Sequence, residues 1–191
     1  MKKIFLLFAV MLSVTMIHAQ TQVKYGVKGG LNLTNVAGQD ADGNKYKFGF
    51  HVGGFAAVEA AEHISIQPEL LFSLQGARYK DEGEKGSLNT YYINLPVMVK
   101  YTFDEGYFAE TGPQLGFLVS AKAKQDGESA NLNDSYRKID FAWGFGVGYM
   151  VNSTVGVNLR VNLGLSKLDK EGEAKVYNRA LQVGVIYNLS N

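Results

Sequence analysis

Two histidines, His51 and His63, and no cysteine are present beyond residue 20, so any catalytic or metal chemistry must be built from a short list of groups. His63 has Glu59 and Ser65 close by in sequence, the residue types from which a membrane-embedded lipase or acyltransferase builds a nucleophile and base near a barrel rim. No motif ties the three together, and His51 has no partner at metal-ligand spacing. Asp40, Asp42 and Asn44 resemble the opening of a calcium loop. Gly43 is not at the sixth position, however, and no glutamate closes the pattern, so the segment reads as a solvated loop. Without cysteine there is neither a disulfide framework nor a thiolate metal site. The sequence therefore assigns no catalytic, cofactor-binding or metal-binding residue.

A different set of charged residues has a pattern. Lys24, Lys28, Lys100 and Arg160, against Glu59, Glu69, Glu110 and Asp140, all fall on the polar face of alternating segments, together with Gln114. Both signs on one face, interleaved with glycine, predict a crowded interior in which charges must pair or be hydrogen-bonded. The expected product is a structural ion-pair and hydrogen-bond network, joined by Gln67, Asn158 and Gln182, that fills a barrel lumen and blocks conduction.

The elements that must position these residues are strands. In the hairpin at 91–121, Tyr91, Ile93, Leu95, Val97, Val99 and Tyr101 share one face, and Tyr92, Asn94, Pro96, Met98, Lys100 and Thr102 the other. Each arm exceeds ten residues, longer than the common strand of a soluble sheet, and tyrosines mark both ends of the apolar face. The same period recurs at about 23–36, 46–59, 64–79, 136–151, 155–168 and 176–189, which with the two arms of the hairpin makes eight strands. Short connections follow the second, fourth and sixth. Longer polar ones, at 37–45, 80–89, 122–135 and 169–175, follow the others. Strict alternation of short and long turns is the signature of an antiparallel up-and-down transmembrane barrel with short periplasmic turns and longer external loops. Aromatic residues gather beside both sets of turns, as two interfacial belts would. Apolar residues therefore face lipid and the glycine-rich polar face points inward, the reverse of a soluble ligand-binding barrel. Gly29 and Gly54 fall on the apolar face without an evident reason. Pro96 and Pro113 lack the ladder donor and mark bulges or local bends.

Lys2 and Lys3 precede an apolar run that ends at His18-Ala19, the pattern of a secretory signal peptide over 1–19. The expected mature domain, 20–191, has 17 basic against 18 acidic residues, a net charge near −1, so nucleic acid is not an expected partner. Its expected location is the outer membrane, with membrane lipid and an external partner at the long loops as what it meets.

Three stretches carry a family resemblance: QPELLFSLQGA at 67–77, YYINLPVMVKY at 91–101 and GPQLGFLVSAK at 112–122. They resemble the PorT-like outer-membrane β-barrel domain family over nearly all of the mature chain. The resemblance implies a small Gram-negative outer-membrane barrel without defined catalytic residues. The functional expectation is a non-enzymatic surface-interaction or adhesion protein, with a small pore, transport or secretion role as the alternative and an envelope lipid-modifying enzyme behind both.

Overall fold

The computed structural model describes residues 23–38, 45–81, 84–125, 128–168 and 176–190. The strands are β1 (Val23–Gly38), β2 (Lys47–Ala61), β3 (Ile64–Asp81), β4 (Glu84–Thr102), β5 (Tyr107–Gln125), β6 (Glu128–Asn131), β7 (Ile139–Met150), β8 (Val155–Gly164) and β9 (Val176–Asn188). All pairings are antiparallel between neighbours in the chain, except that β7 pairs with β5 rather than β6, and the β1–β9 and β4–β5 ladders close the sheet. Eight strands make the barrel, and the four-residue β6 adds to the outer end of β5. Closure removes the exposed edge that an open sheet would present to lipid, where an unpaired backbone group costs several kcal/mol.

Alternation places the faces as the sequence predicts. On β7, Ile139, Phe141, Trp143, Phe145, Val147 and Tyr149 are exposed, while Asp140 and Ala142 are buried and Gly144, Gly146 and Gly148 follow them on the inner face. Gly53 shows why that face needs glycine: a Cβ there would lie 1.9 Å from the Leu70 carbonyl oxygen. Gly29 and Gly54, on the outer face, would meet only ordinary contacts, so space does not explain them.

The short-turn rim holds the beginning of β1, the end of β9 and the turns after β2, β4 and β7. There Glu105 and Gly106 take positive φ, and Asn152 Oδ1 accepts from the Thr154 and Val155 N–H groups at 2.9 and 2.7 Å. Exposed aromatics ring this rim, with Tyr107 against Tyr149 at 4.8 Å and Tyr101 against Phe103 at 4.9 Å between centroids. A second group lies toward the long-loop side, with Phe72 stacked on Tyr91 at 6.1 Å and tilted against Phe50 at 6.2 Å.

The ends of the strands correct the sequence reading. The segments 80–89 and 122–135 are not simply loops: β3 runs to Asp81, β4 starts at Glu84, β5 continues to Gln125, and β6 follows. Beyond the lipid both faces of a strand meet water or a cap, so period-two hydrophobicity fades while the ladder continues. The opposite wall is shorter, since β7 starts only at Ile139 and β8 stops at Gly164, leaving Ser166 to accept from the Phe141 N–H at 2.8 Å through Oγ. The barrel is thus higher on its β3–β6 side. The two prolines do not mark bulges. Register shifts occur at Tyr91/Tyr92 and Glu59/Ala61, whereas the β4–β5 ladder skips the residues opposite Gly112 and Pro113 and resumes in unchanged register. A missing donor interrupts a ladder without inserting a residue.

Candidate functional site in the barrel lumen

Glu69, on the inner face of β3, is the centre of the lumen. Arg160 reaches it from β8 in a two-bond fork, Nη1 to Oε2 at 2.8 Å and Nη2 to Oε1 at 2.7 Å. The same guanidinium donates through Nε to Glu110 Oε1 on β5 at 2.7 Å. Lys28 on β1 adds its ammonium at 3.2 Å from Glu69 Oε1, and Gln67 Nε2 donates to that oxygen at 2.8 Å. These four ionic side chains are 0–1 % exposed. Two positive and two negative groups from four strands thus span the bore. Planar guanidinium and carboxylate groups match geometrically, so the fork is strong and directional.

On the long-loop side of this cluster lies a second network, built mainly of amides. Asn32 Nδ2 donates to the Phe50 and Leu74 carbonyls and to Ser73 Oγ at 2.9–3.1 Å, which fixes its amide orientation. Its Oδ1 then accepts from His51 Nδ1 at 2.7 Å and Gln182 Nε2 at 3.1 Å. Gln182 in turn accepts from Asn162 at 2.9 Å, and Gln75 donates to Ser73 at 3.0 Å. Asp140 accepts from Ser166 Oγ, and Asn178 donates to Gln75. Lys47 donates to the Gln75 and Leu88 carbonyls at 3.3 and 3.0 Å. His51 is thus held by the Asn32 amide, and His63 lies against Tyr101 in the short turn, with ring centroids 5.8 Å apart and planes tilted by 39°.

Two apolar layers enclose the polar one. Val36, Ala77, Leu88 and Leu168 pack together at the long-loop end, with Leu132, Tyr136 and Val176 against them. Phe55, Phe108 and Ile186 pack at the short-turn end with Ala57 and Met150. Below the second layer a cup of about 400 Å³ opens at the rim, lined in part by Lys24, Glu59 and Lys100.

The inward-facing residues expected from the sequence, eight charged ones and Gln114, do not all meet at one point. Lys28, Glu69, Glu110 and Arg160 meet in the central cluster. Lys24 and Glu59 pair at 2.7 Å but at the rim, 43 % and 45 % exposed. Lys100 lies 3.8 Å above the Phe108 ring as the cross-strand neighbour of Glu110, and Gln114 and Asp140 are buried without an ion pair of their own among the described residues. Asn32, Lys47, Asn162 and Asn178 were not singled out, although each shares its inward position with a neighbour two residues away. Asp40, Asp42 and Asn44, the loop 169–175 and the expected signal peptide at 1–19 lie outside the described residues.

A sequence profile described as "Outer membrane protein beta-barrel domain" matches residues 18–170. Among solved structures, Neisserial surface protein A is similar with a TM-score of 0.57 and 15 % identity, over 87 % of this chain and 98 % of that one. The attachment invasion locus protein Ail of Yersinia pestis, in complex with the heparin analogue sucrose octasulfate, is similar with a TM-score of 0.53 and 16 % identity, over 88 % and 99 %. No curated protein sequence matches significantly.

Proposed function

This chain belongs to the outer membrane protein β-barrel domain family, and from that premise we propose that it is a non-enzymatic surface-interaction protein whose barrel is a sealed scaffold rather than a conduit. On this reading residues 1–19 direct export, 20–191 form the membrane domain, and the long-loop rim faces outward. The regions 37–45, 80–89, 122–135 and 169–175 meet the external partner, although β3–β6 make part of that region a raised wall rather than free loops.

The observation that carries the proposal is the filling of the lumen at three successive levels: an apolar cap, a hydrogen-bonded polar middle with its ion cluster, and a second apolar layer. An ion crossing it would have to displace packed side chains and break the paired charges of the central cluster, losing several kcal/mol in a low-dielectric space. At these identities the two structural neighbours share the fold alone, so the proposal rests on the lumen. Ail's complex with a heparin analogue illustrates a ligand held by a barrel of this size.

Two arms test the proposal. Proteoliposomes of the folded barrel should take up glycine no faster than protein-free vesicles. On cells, replacing 39–44, 126–127 and 169–175 by short turns should leave heat-modifiable gel mobility intact while abolishing attachment to a solid or cellular surface. Rapid glycine uptake, or attachment indifferent to the replacement, would count against it.

A further inference from the structure

The cup at the short-turn rim holds one cation without a counter-charge. Four charged side chains line it, Lys24 and Lys100 against Glu59 and Glu62, so its net charge is zero. Their pairing is uneven. Lys24 lies 2.7 Å from Glu59 Oε1, and Glu62 stands exposed in the turn after β2. Lys100 has no salt bridge among the described residues. Glu110 is its cross-strand neighbour, yet the Lys100 ammonium lies over the Phe108 ring, 3.8 Å from the centroid, and not against that carboxylate. A lysine usually runs its stem along apolar surface and leaves its ammonium in water. Here the ammonium is held against an aromatic face inside the cup, partly stripped of water and matched by no anion.

The strand register sets donors beside it. Ser65 on β3 is the cross-strand partner of Lys100, and Thr102 follows two residues on along β4, so both share its inner face and line the same cup. A carboxylate at Lys100 would accept from the ammonium and from two hydroxyls, and hydrogen bonds between charged groups are the strong ones. The floor is apolar. Phe55 and Met150 border the cup and belong to the layer, with Phe108 and Ile186, that closes the lumen above it. Glu59 and Glu62 repel a second negative charge, so the site suits a single carboxylate on an aliphatic tail better than a phosphate dianion or a dicarboxylate.

We propose that the cup binds a medium-chain aliphatic monocarboxylate, its carboxylate at Lys100, Ser65 and Thr102 and its tail against Phe55 and Met150. Such a ligand enters and leaves by the short-turn rim without crossing the apolar layer. The inference therefore goes beyond the scaffold reading and does not rest on it.

Two methionines, Met98 and Met150, lie beyond residue 20 and give the test its own reference. Met150 lines the cup, and Met98 is 0 % exposed inside the barrel. In the full folded barrel, with isotope-labelled methionine methyls and in phosphatidylcholine nanodiscs, hexanoate should shift the Met150 resonance saturably and leave Met98 in place. Hexanamide, equal in length and uncharged, should bind at least about 10-fold more weakly, and so should hexanoate to Lys100→Gln. Each methylene removed from the acid should weaken binding by up to about four-fold, the factor for complete burial. Ser65→Ala combined with Thr102→Val keeps the cation and should also cost about 10-fold; it replaces Lys100→Gln if that variant lacks the heat-modifiable shift. A Met150 shift that rises without saturating, equal affinity for hexanoate and hexanamide, or equal affinity in parent and folded variant would overturn the proposal. A conducting lumen would count against the scaffold reading and leave this comparison intact.

Discussion

Replacing Arg160 by methionine removes the group that joins both carboxylates of the central cluster. The side chain has three charge-assisted bonds of 2.7–2.8 Å, two to Glu69 and one to Glu110, and none of its surface is exposed. Glu69 would keep Lys28 and Gln67, but Glu110 would lose its one salt bridge among the described residues. Breaking a buried pair by deleting one partner costs about 3–5 kcal/mol, because the remaining charge is stranded. At the steepest usual urea dependence this lowers the unfolding midpoint by at least about 1 M. Trp143, the single tryptophan, lies on the lipid-facing side and reports unfolding from lipid vesicles by fluorescence. Adding Glu69→Gln and Glu110→Gln to Arg160→Met removes the stranded charges, so the triple variant should recover about 2 kcal/mol or more relative to the sum of single losses. A loss below about 1 kcal/mol for Arg160→Met, or strictly additive effects, would refute the reasoning that the cluster acts as one unit.

Other consequences follow from the same geometry. Lys24→Ala, which breaks a rim pair roughly half exposed to solvent, should cost under about 1 kcal/mol in the same unfolding assay. Gly53→Ala places a methyl 1.9 Å from a neighbouring carbonyl and should cost about 1–3 kcal/mol or block assembly, whereas Gly54→Ala, one residue away on the open outer face, should change stability by less than about 0.5 kcal/mol; similar losses for both would show that the inner face is not close-packed. Phe108→Ala should lose about 3–5 kcal/mol by opening a cavity in the lower apolar layer, read by urea unfolding, and a loss near zero would mean that this layer is not packed as described. Trp143 fluorescence should be quenched by lipids brominated on their acyl chains and not by aqueous iodide; the reverse pattern would place β7 in water.

Much of the fold was legible because lipid imposes a strict rule on outward positions. Val157, Leu159, Val161 and Leu163 declare the outer face of β8, and Asn158, Arg160 and Asn162 its inner one. Once the strand leaves the bilayer that rule lapses. Leu88 and Ala77 are apolar because they cap the lumen, and nothing in their local pattern separates that from a loop. Inward position could be read residue by residue, but partners could not. Arg160 and Glu69 are 91 residues apart in the chain, and whether they meet depends on the stagger of strands around the barrel. Lys24 and Glu59 satisfy the same alternation yet finish at the rim, where their pair is exposed. Asn32, which organises the amide network, carries no charge to draw notice and is revealed only by its amide's position between two carbonyls and His51.

The most direct test of the sealed scaffold is single-channel recording from the purified, refolded barrel in planar bilayers at high potassium chloride. Insertion should be verified by heat-modifiable mobility of the same preparation. The filled lumen predicts a current trace indistinguishable from the protein-free bilayer. Reproducible open steps in the parent protein, abolished when the inserted protein is removed, would contradict it.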